Sequence, residues 1–224
     1  MKFLSYLKYF SFIALNWNPR LALFTIKHEI KGEKKYGIST TGTDRLDDEI
    51  NEYVLKHSEH YQGANYYILE KLFEFLKEEC PNKNLVDFGS GKGRVLCVAA
   101  HYEFKKITGV EISERFNEIA KSNIISVQSK FPDAIIKIIE EDASKFHINK
   151  ETGVFIFFNP FDEMMMLKVV KNIMKSIKEF EREVFVGYIN PVHKEIFLSA
   201  GFVEVYHLKK LEYIECSILM YSPA

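Results

Sequence analysis

Cysteine is scarce in this chain. Its 224 residues hold three, Cys80, Cys97 and Cys216, an odd number without metal-ligand spacing. That argues against a disulfide framework or a zinc site and fits reduced thiols in a cytoplasmic protein. Proline is also sparse, and no Pro/Ser-rich stretch marks a flexible linker. Charge of one sign is missing: 30 Lys and Arg stand against 31 Asp and Glu, so no global field draws the protein to nucleic acid or to an anionic membrane. A local basic patch remains compatible with that balance, but a protein or small molecule is the favoured class of partner. No apolar run approaches the about 20 residues that span a bilayer. What remains is an ordinary globular composition, 47% hydrophobic, with length for one core and an extension.

The first fifteen residues begin as a signal peptide does, basic and then apolar. Lys8 interrupts the run, Tyr6, Tyr9 and Trp17 are bulky, and no small-residue cleavage site follows. Phe3, Leu7, Phe10 and Ala14 recur at helical spacing, with Leu4 and Ile13 widening the stripe. We expect an amphipathic helix packed on the domain, with membrane-surface association through residues 1–15 as the competing reading. Gly32, Gly37 and the Ser39–Thr43 cluster predict loop, and Asp44 to His57 predicts a short helix with acids in its first turn. Residues 1–62 are thus expected to form a helical cap and residues 63–224 the main domain.

Leu85-Val86-Asp87-Phe88-Gly89-Ser90-Gly91-Lys92-Gly93-Arg94 carries the strongest signal. A short apolar strand runs into three glycines at alternate positions and then into a helical run. Such a turn brings backbone N–H groups close to a nucleotide-sized ligand. The spacing falls one residue short of the dinucleotide fingerprint G-x-G-x-x-G. Three more apolar runs follow and end in polar residues: Lys106 to Val110 in Glu111, Ala134 to Ile139 in Glu141-Asp142, and Val154 to Phe158 in Asn159-Pro160-Phe161.

Those residue types suit an adenosine ligand. A carboxylate ending the second strand accepts both ribose hydroxyls, whether the cofactor is a sulfonium or a nicotinamide dinucleotide. Asp87 separates the two, since an acid beside the glycine loop attracts a positive amino-acid end and repels a pyrophosphate.

With acidic or polar residues at four strand ends in this order, the chain from about Gly63 onward resembles the class I S-adenosylmethionine-dependent methyltransferases. The resemblance implies that Asp87, Phe88, Gly89, Ser90, Gly91 and Gly93 hold the methionine part of the cofactor. Glu111 with Ile112 would hold the ribose side, and Asp142 with Ala143 the adenine. Glu141 is the alternative to Asp142 within an acidic run that otherwise reads as a solvated turn. Asn159, Pro160 and Phe161 would face the transferred methyl, as a shortened form of the Asn-Pro-Pro-Tyr motif of amine-directed members. Tyr61, in Tyr61-Gln62-Gly63, stands where lysine-directed members related to the non-SET histone-lysine methyltransferases carry a tyrosine-containing substrate loop. The plainer readings are that Asp87 caps the loop, Glu111 is a solvated helix-entry acid, Asn159 caps a helix, and Tyr61 and Phe161 are core. Met164-Met165-Met166 reads as helix packing.

Helical stripes over Ala64 to Glu79, from Ser113 to about Val127, and after Asp162 alternate with the strands. A fifth strand, Val184 to Ile189, precedes a short helix that Pro191 opens and Gly201 ends. Phe202 to Leu211 and Tyr213 to Tyr221 are too close for a crossover and must pair antiparallel. The pattern predicts an α/β fold with a doubly wound, mostly parallel sheet. The family resemblance implies seven strands in the order 3-2-1-4-5-7-6. The expected function is S-adenosylmethionine-dependent methylation, directed at a protein lysine or another amine, with no metal. A nicotinamide-dependent oxidoreductase and a cofactor-binding protein without turnover are the competing classes.

Overall fold

The computed structural model describes residues 2–44 and 61–223. Its centre is a seven-stranded sheet whose first five strands are parallel neighbours. These are β3 (Asn84–Phe88), β4 (Lys106–Glu111), β5 (Ile135–Glu140), β6 (Val154–Phe158) and β7 (Val184–Ile189), closed by the antiparallel pair β8 (Val203–Lys210) and β9 (Ile214–Tyr221). The spatial order β5-β4-β3-β6-β7-β9-β8 is the expected 3-2-1-4-5-7-6. β3, β6 and β7 are buried almost throughout, which is why they read as unbroken apolar runs instead of alternating ones.

Helices cover both faces of the sheet: α3 (Tyr66–Glu79), α4 (Arg94–His101), α5 (Glu114–Gln128), α6 (Glu163–Glu179) and the short α7 (Lys194–Ser199). Their starts follow the predicted caps. Ser113 accepts from the Phe116 N–H and Asp162 from the Met165 N–H, at 3.3 and 2.9 Å. α7 opens at Lys194, so Pro191 stands before it and not in its first turn.

Ahead of the sheet stand α1 (Lys2–Asn16) and α2 (Pro19–Tyr36), then a two-stranded ribbon of β1 (Thr43–Asp44) and β2 (Tyr61–Gln62). α2 corrects the expected loop at Gly32. The helix continues through that residue because its missing Cβ makes room for the Tyr66 ring, whose nearest atom would lie 2.2 Å away. The loop instead begins at Gly37, the left-handed cap of α2. Asp44 lies in β1, and the rest of the helix expected to His57 falls outside the described residues.

Tyr9 and Ile13 of α1 and Leu21 and Ala22 of α2 join the core cluster that also holds Leu69, Leu72 and Leu96. Among the described residues, no helix is long and apolar enough to cross a membrane.

Candidate active site

The carboxyl ends of β3, β4, β5 and β6 open into one cleft enclosing about 920 Å³, with the solvent at its mouth included. The glycine turn forms its floor. Gly89 and Gly91 both sit at positive φ, 74° and 50°. At each, a side chain would also meet a neighbour: a Cβ on Gly89 would lie 2.6 Å from Pro160 Cβ, and one on Gly91 2.6 Å from the Tyr61 ring. The turn is thus held between the end of β6 on one side and β2 on the other.

Two carboxylates flank this floor. Glu111 accepts from the Gly91 N–H at 2.9 Å with one oxygen, and from the Ile112 and Ser113 N–H groups at 2.8 and 2.9 Å with the other. It therefore ties the loop to the start of α5. Asp87 is 2% exposed, and its Oδ2 has no hydrogen-bond partner among the described residues. Burial, with the Glu111 charge beside it, pushes the Asp87 pKa well above the usual carboxylate range. A cationic group entering the cleft would meet that oxygen. An orphaned buried acid next to closely approachable backbone fits the positive amino-acid end of S-adenosylmethionine.

At the end of β5, Asp142 closes a tight turn, its Oδ1 accepting from the Ser144 N–H and hydroxyl at 2.9 and 2.7 Å. Glu141 and Ala143 line the cleft with it. After β6, Asn159 adopts φ 38°, a left-handed conformation that asparagine tolerates. Its Oδ1 accepts a long hydrogen bond, 3.5 Å, from the Tyr188 hydroxyl. Asp162, not Asn159, caps α6. Phe161 and Met165 belong to the core and also wall the cleft.

Tyr61 forms the opposite wall. Its hydroxyl donates to the Thr40 carbonyl at 2.8 Å, its ring stands 5.1 Å from Phe116 centroid to centroid, and Lys92 Nζ lies over it at 4.5 Å. Burial raises the Tyr61 pKa above the ordinary tyrosine value, so the hydroxyl stays protonated.

The structure brings together in this cleft Tyr61, Asp87, Gly89, Ser90, Gly91, Glu111, Ile112, Asp142, Ala143, Asn159, Pro160 and Phe161. Two expected residues are not among its walls. Phe88 points into the core, stacked at 5.3 Å on Phe157, and Gly93 caps α4 against Ala120. A residue unforeseen in the sequence is Arg94, which lines the cleft while its guanidinium grips Glu29 of α2 at 2.8 and 2.6 Å. It also donates to Thr40 and to the Ala64 carbonyl and lies over the Tyr66 ring. A lone arginine opening an apolar helix was the available signal, but its partner is 65 residues away.

Residues 86–184 match the family model described as a methyltransferase domain. That segment, at the centre of the chain, is similar to a methyltransferase domain. Its fold resembles that of a Pyrococcus horikoshii protein provisionally described as an RNA methyltransferase. That likeness has a TM-score of 0.56 and 17% identity over 88% of this chain and 96% of that one. It also resembles magnesium protoporphyrin IX methyltransferase from Synechocystis PCC 6803, solved with bound S-adenosylmethionine. Here the TM-score is 0.53 and the identity 13%, over 78% of this chain and 85% of that one. At such identities the likeness speaks for the fold. No curated protein matches the chain in sequence. The cleft described above lies within and beside the matched residues, at the carboxyl edge of the parallel strands.

Proposed function

We propose that this protein is an S-adenosylmethionine-dependent methyltransferase directed at nitrogen, with a protein lysine or another amine as acceptor. The buried oxygen of Asp87 beside the glycine turn, without a hydrogen-bond partner among the described residues, is the observation that carries the reading. Asp87 and the backbone of Gly89 to Gly91 would hold the amino-acid end of the cofactor, Glu111 with Ile112 the ribose, and Asp142 with Ala143 the adenine. Phe88 and Gly93 would serve through the backbone and packing of the turn. When bound, the cofactor supplies a methyl group activated by its sulfonium.

The chain's own task is then alignment and exclusion of water. The Asn159 amide oxygen is suited to accept an N–H from the amine, leaving the nitrogen lone pair aimed into the cleft. The left-handed backbone and the long hydrogen bond from Tyr188, 3.5 Å, would bias the orientation of that amide. Phe161, Met165 and the Tyr61 ring provide apolar walls that favour the neutral amine over its ammonium form. In this reading residues 1–62 act as a cap and residues 63–224 as the methyltransferase domain.

The test is to incubate the full chain with methyl-tritiated S-adenosylmethionine and cell lysate, then fractionate protein, nucleic acid and small molecules. Label is expected at nitrogen in the protein or small-molecule fraction. Label in nucleic acid alone would replace the acceptor class, and cofactor binding without any label would make the chain a binding protein without turnover.

A further inference from the structure

α1 carries apolar side chains on its exposed side as well as its buried one. Tyr9 and Ile13 turn into the core, while Phe3, Leu4, Leu7 and Leu15 are 79, 55, 51 and 86% exposed. Ser5, Lys8 and Ser11 are exposed among them, so the outer side of α1 is an amphipathic patch of the kind that meets a partner or a lipid surface. Its neighbour α2 is of the opposite character on its outer face: Arg20, Lys27, Lys31 and Lys34 are exposed and recur at helical spacing. None of the four pairs with an acid among the described residues.

Residues 2–36 contain seven Lys and Arg and two acids, Glu29 and Glu33. Both acids face inward: Glu29 is held by Arg94, and Glu33 accepts from Tyr6, Thr40 and Thr41. The outward surface of the helix pair is consequently cationic and apolar, in a chain whose net charge is −1.

We propose that α1 and α2 dock this protein on an anionic membrane surface, with the exposed side chains of α1 entering the headgroup boundary and the α2 stripe meeting lipid phosphates. Charge complementarity selects that occupant. An apolar protein partner would use the α1 face but not the four cations of α2, and a second copy of the chain would set those cations against one another.

The test is co-sedimentation of the full chain with phosphatidylcholine vesicles, with and without phosphatidylglycerol, at low and high salt. Binding is expected to the anionic vesicles only and to weaken as salt rises. The doubly exchanged Lys27→Gln/Lys31→Gln variant should bind roughly twenty-five-fold more weakly, about fivefold per charge. Phe3→Ser/Leu7→Ser should bind about tenfold more weakly or not at all. Unchanged melting temperatures verify folding, and the lysine variant keeps the test valid should the apolar one fail to fold. Failure to bind anionic vesicles, equal binding to neutral ones, or binding indifferent to both variants overturns the proposal. So does a dimer by light scattering that Phe3→Ser/Leu7→Ser dissociates while vesicles leave the protein in solution.

Discussion

Arg94 and Glu29 form a two-pronged ion pair at 2.8 and 2.6 Å, with their side chains 4 and 0% exposed, between the first residue after the glycine turn and the middle of α2. The pair fastens the N-terminal helices to the element that follows the glycine turn. Glu29→Ala leaves a buried guanidinium uncompensated and is expected to cost about 3–5 kcal/mol of stability, by denaturant titration. A loss under 1 kcal/mol would mean that water reaches Arg94 and replaces its partner.

Gly91 makes a second such contact, with Tyr61. Gly91→Ala adds a Cβ 2.6 Å from the Tyr61 ring at a φ of 50°. It should cost roughly 1–2 kcal/mol for the backbone alone, with the clash in addition. Tyr61→Ala on the same background should recover the clash but not the backbone cost. A double-mutant cycle with purely additive stabilities would show that the ring moves aside freely.

If Asn159 orients the acceptor, Asn159→Ala should lower kcat at least tenfold with cofactor affinity changed by less than about threefold, since the lost interaction matters in the transition state. Turnover and cofactor titration on one preparation separate the cases. Unchanged kcat would leave Asn159 as a turn residue, and lost cofactor affinity would assign it to the cofactor's own shell.

Asp87 predicts a pH dependence of fixed sign. The folded protein holds the Asp87 proton more tightly than the unfolded chain does, because burial and Glu111 disfavour the anion. Without added cofactor, stability should therefore fall as pH rises from the ordinary carboxylate range through the raised value. Asp87→Asn should remove that part of the slope and be the more stable protein at neutral pH. Thermal melts across that range check it, and parallel curves for the two proteins would contradict it.

The sheet was legible because each parallel strand is a short, mostly apolar run ended by a polar residue, and because the two last runs leave no room for a helix between them. The cleft was legible for the same reason: Asp87, Glu111, Asp142 and Asn159 all stand at strand ends, which a parallel sheet gathers along one edge. What stayed hidden depends on contacts distant in sequence. Gly32 looks like a loop residue until the Tyr66 ring, 34 residues on, occupies its side-chain space. Glu111 reads as a ligand acid, and nothing local reveals that it also accepts from the Gly91 N–H. Phe88 adjoins the glycines in sequence, yet strand alternation turns its ring into the core. Arg94 offered charge without a visible partner.

Binding of S-adenosylmethionine in the cleft around Asp87 and Gly91, as proposed, is checked by calorimetric titration of the full chain with S-adenosylmethionine and separately with NAD. One saturable site is expected for S-adenosylmethionine and none for NAD. A loss of about tenfold to a hundredfold is expected in Asp87→Asn, the range for a hydrogen bond to a charged group. Binding of NAD in place of S-adenosylmethionine, or full S-adenosylmethionine affinity in a folded Asp87→Asn protein, would contradict the proposal.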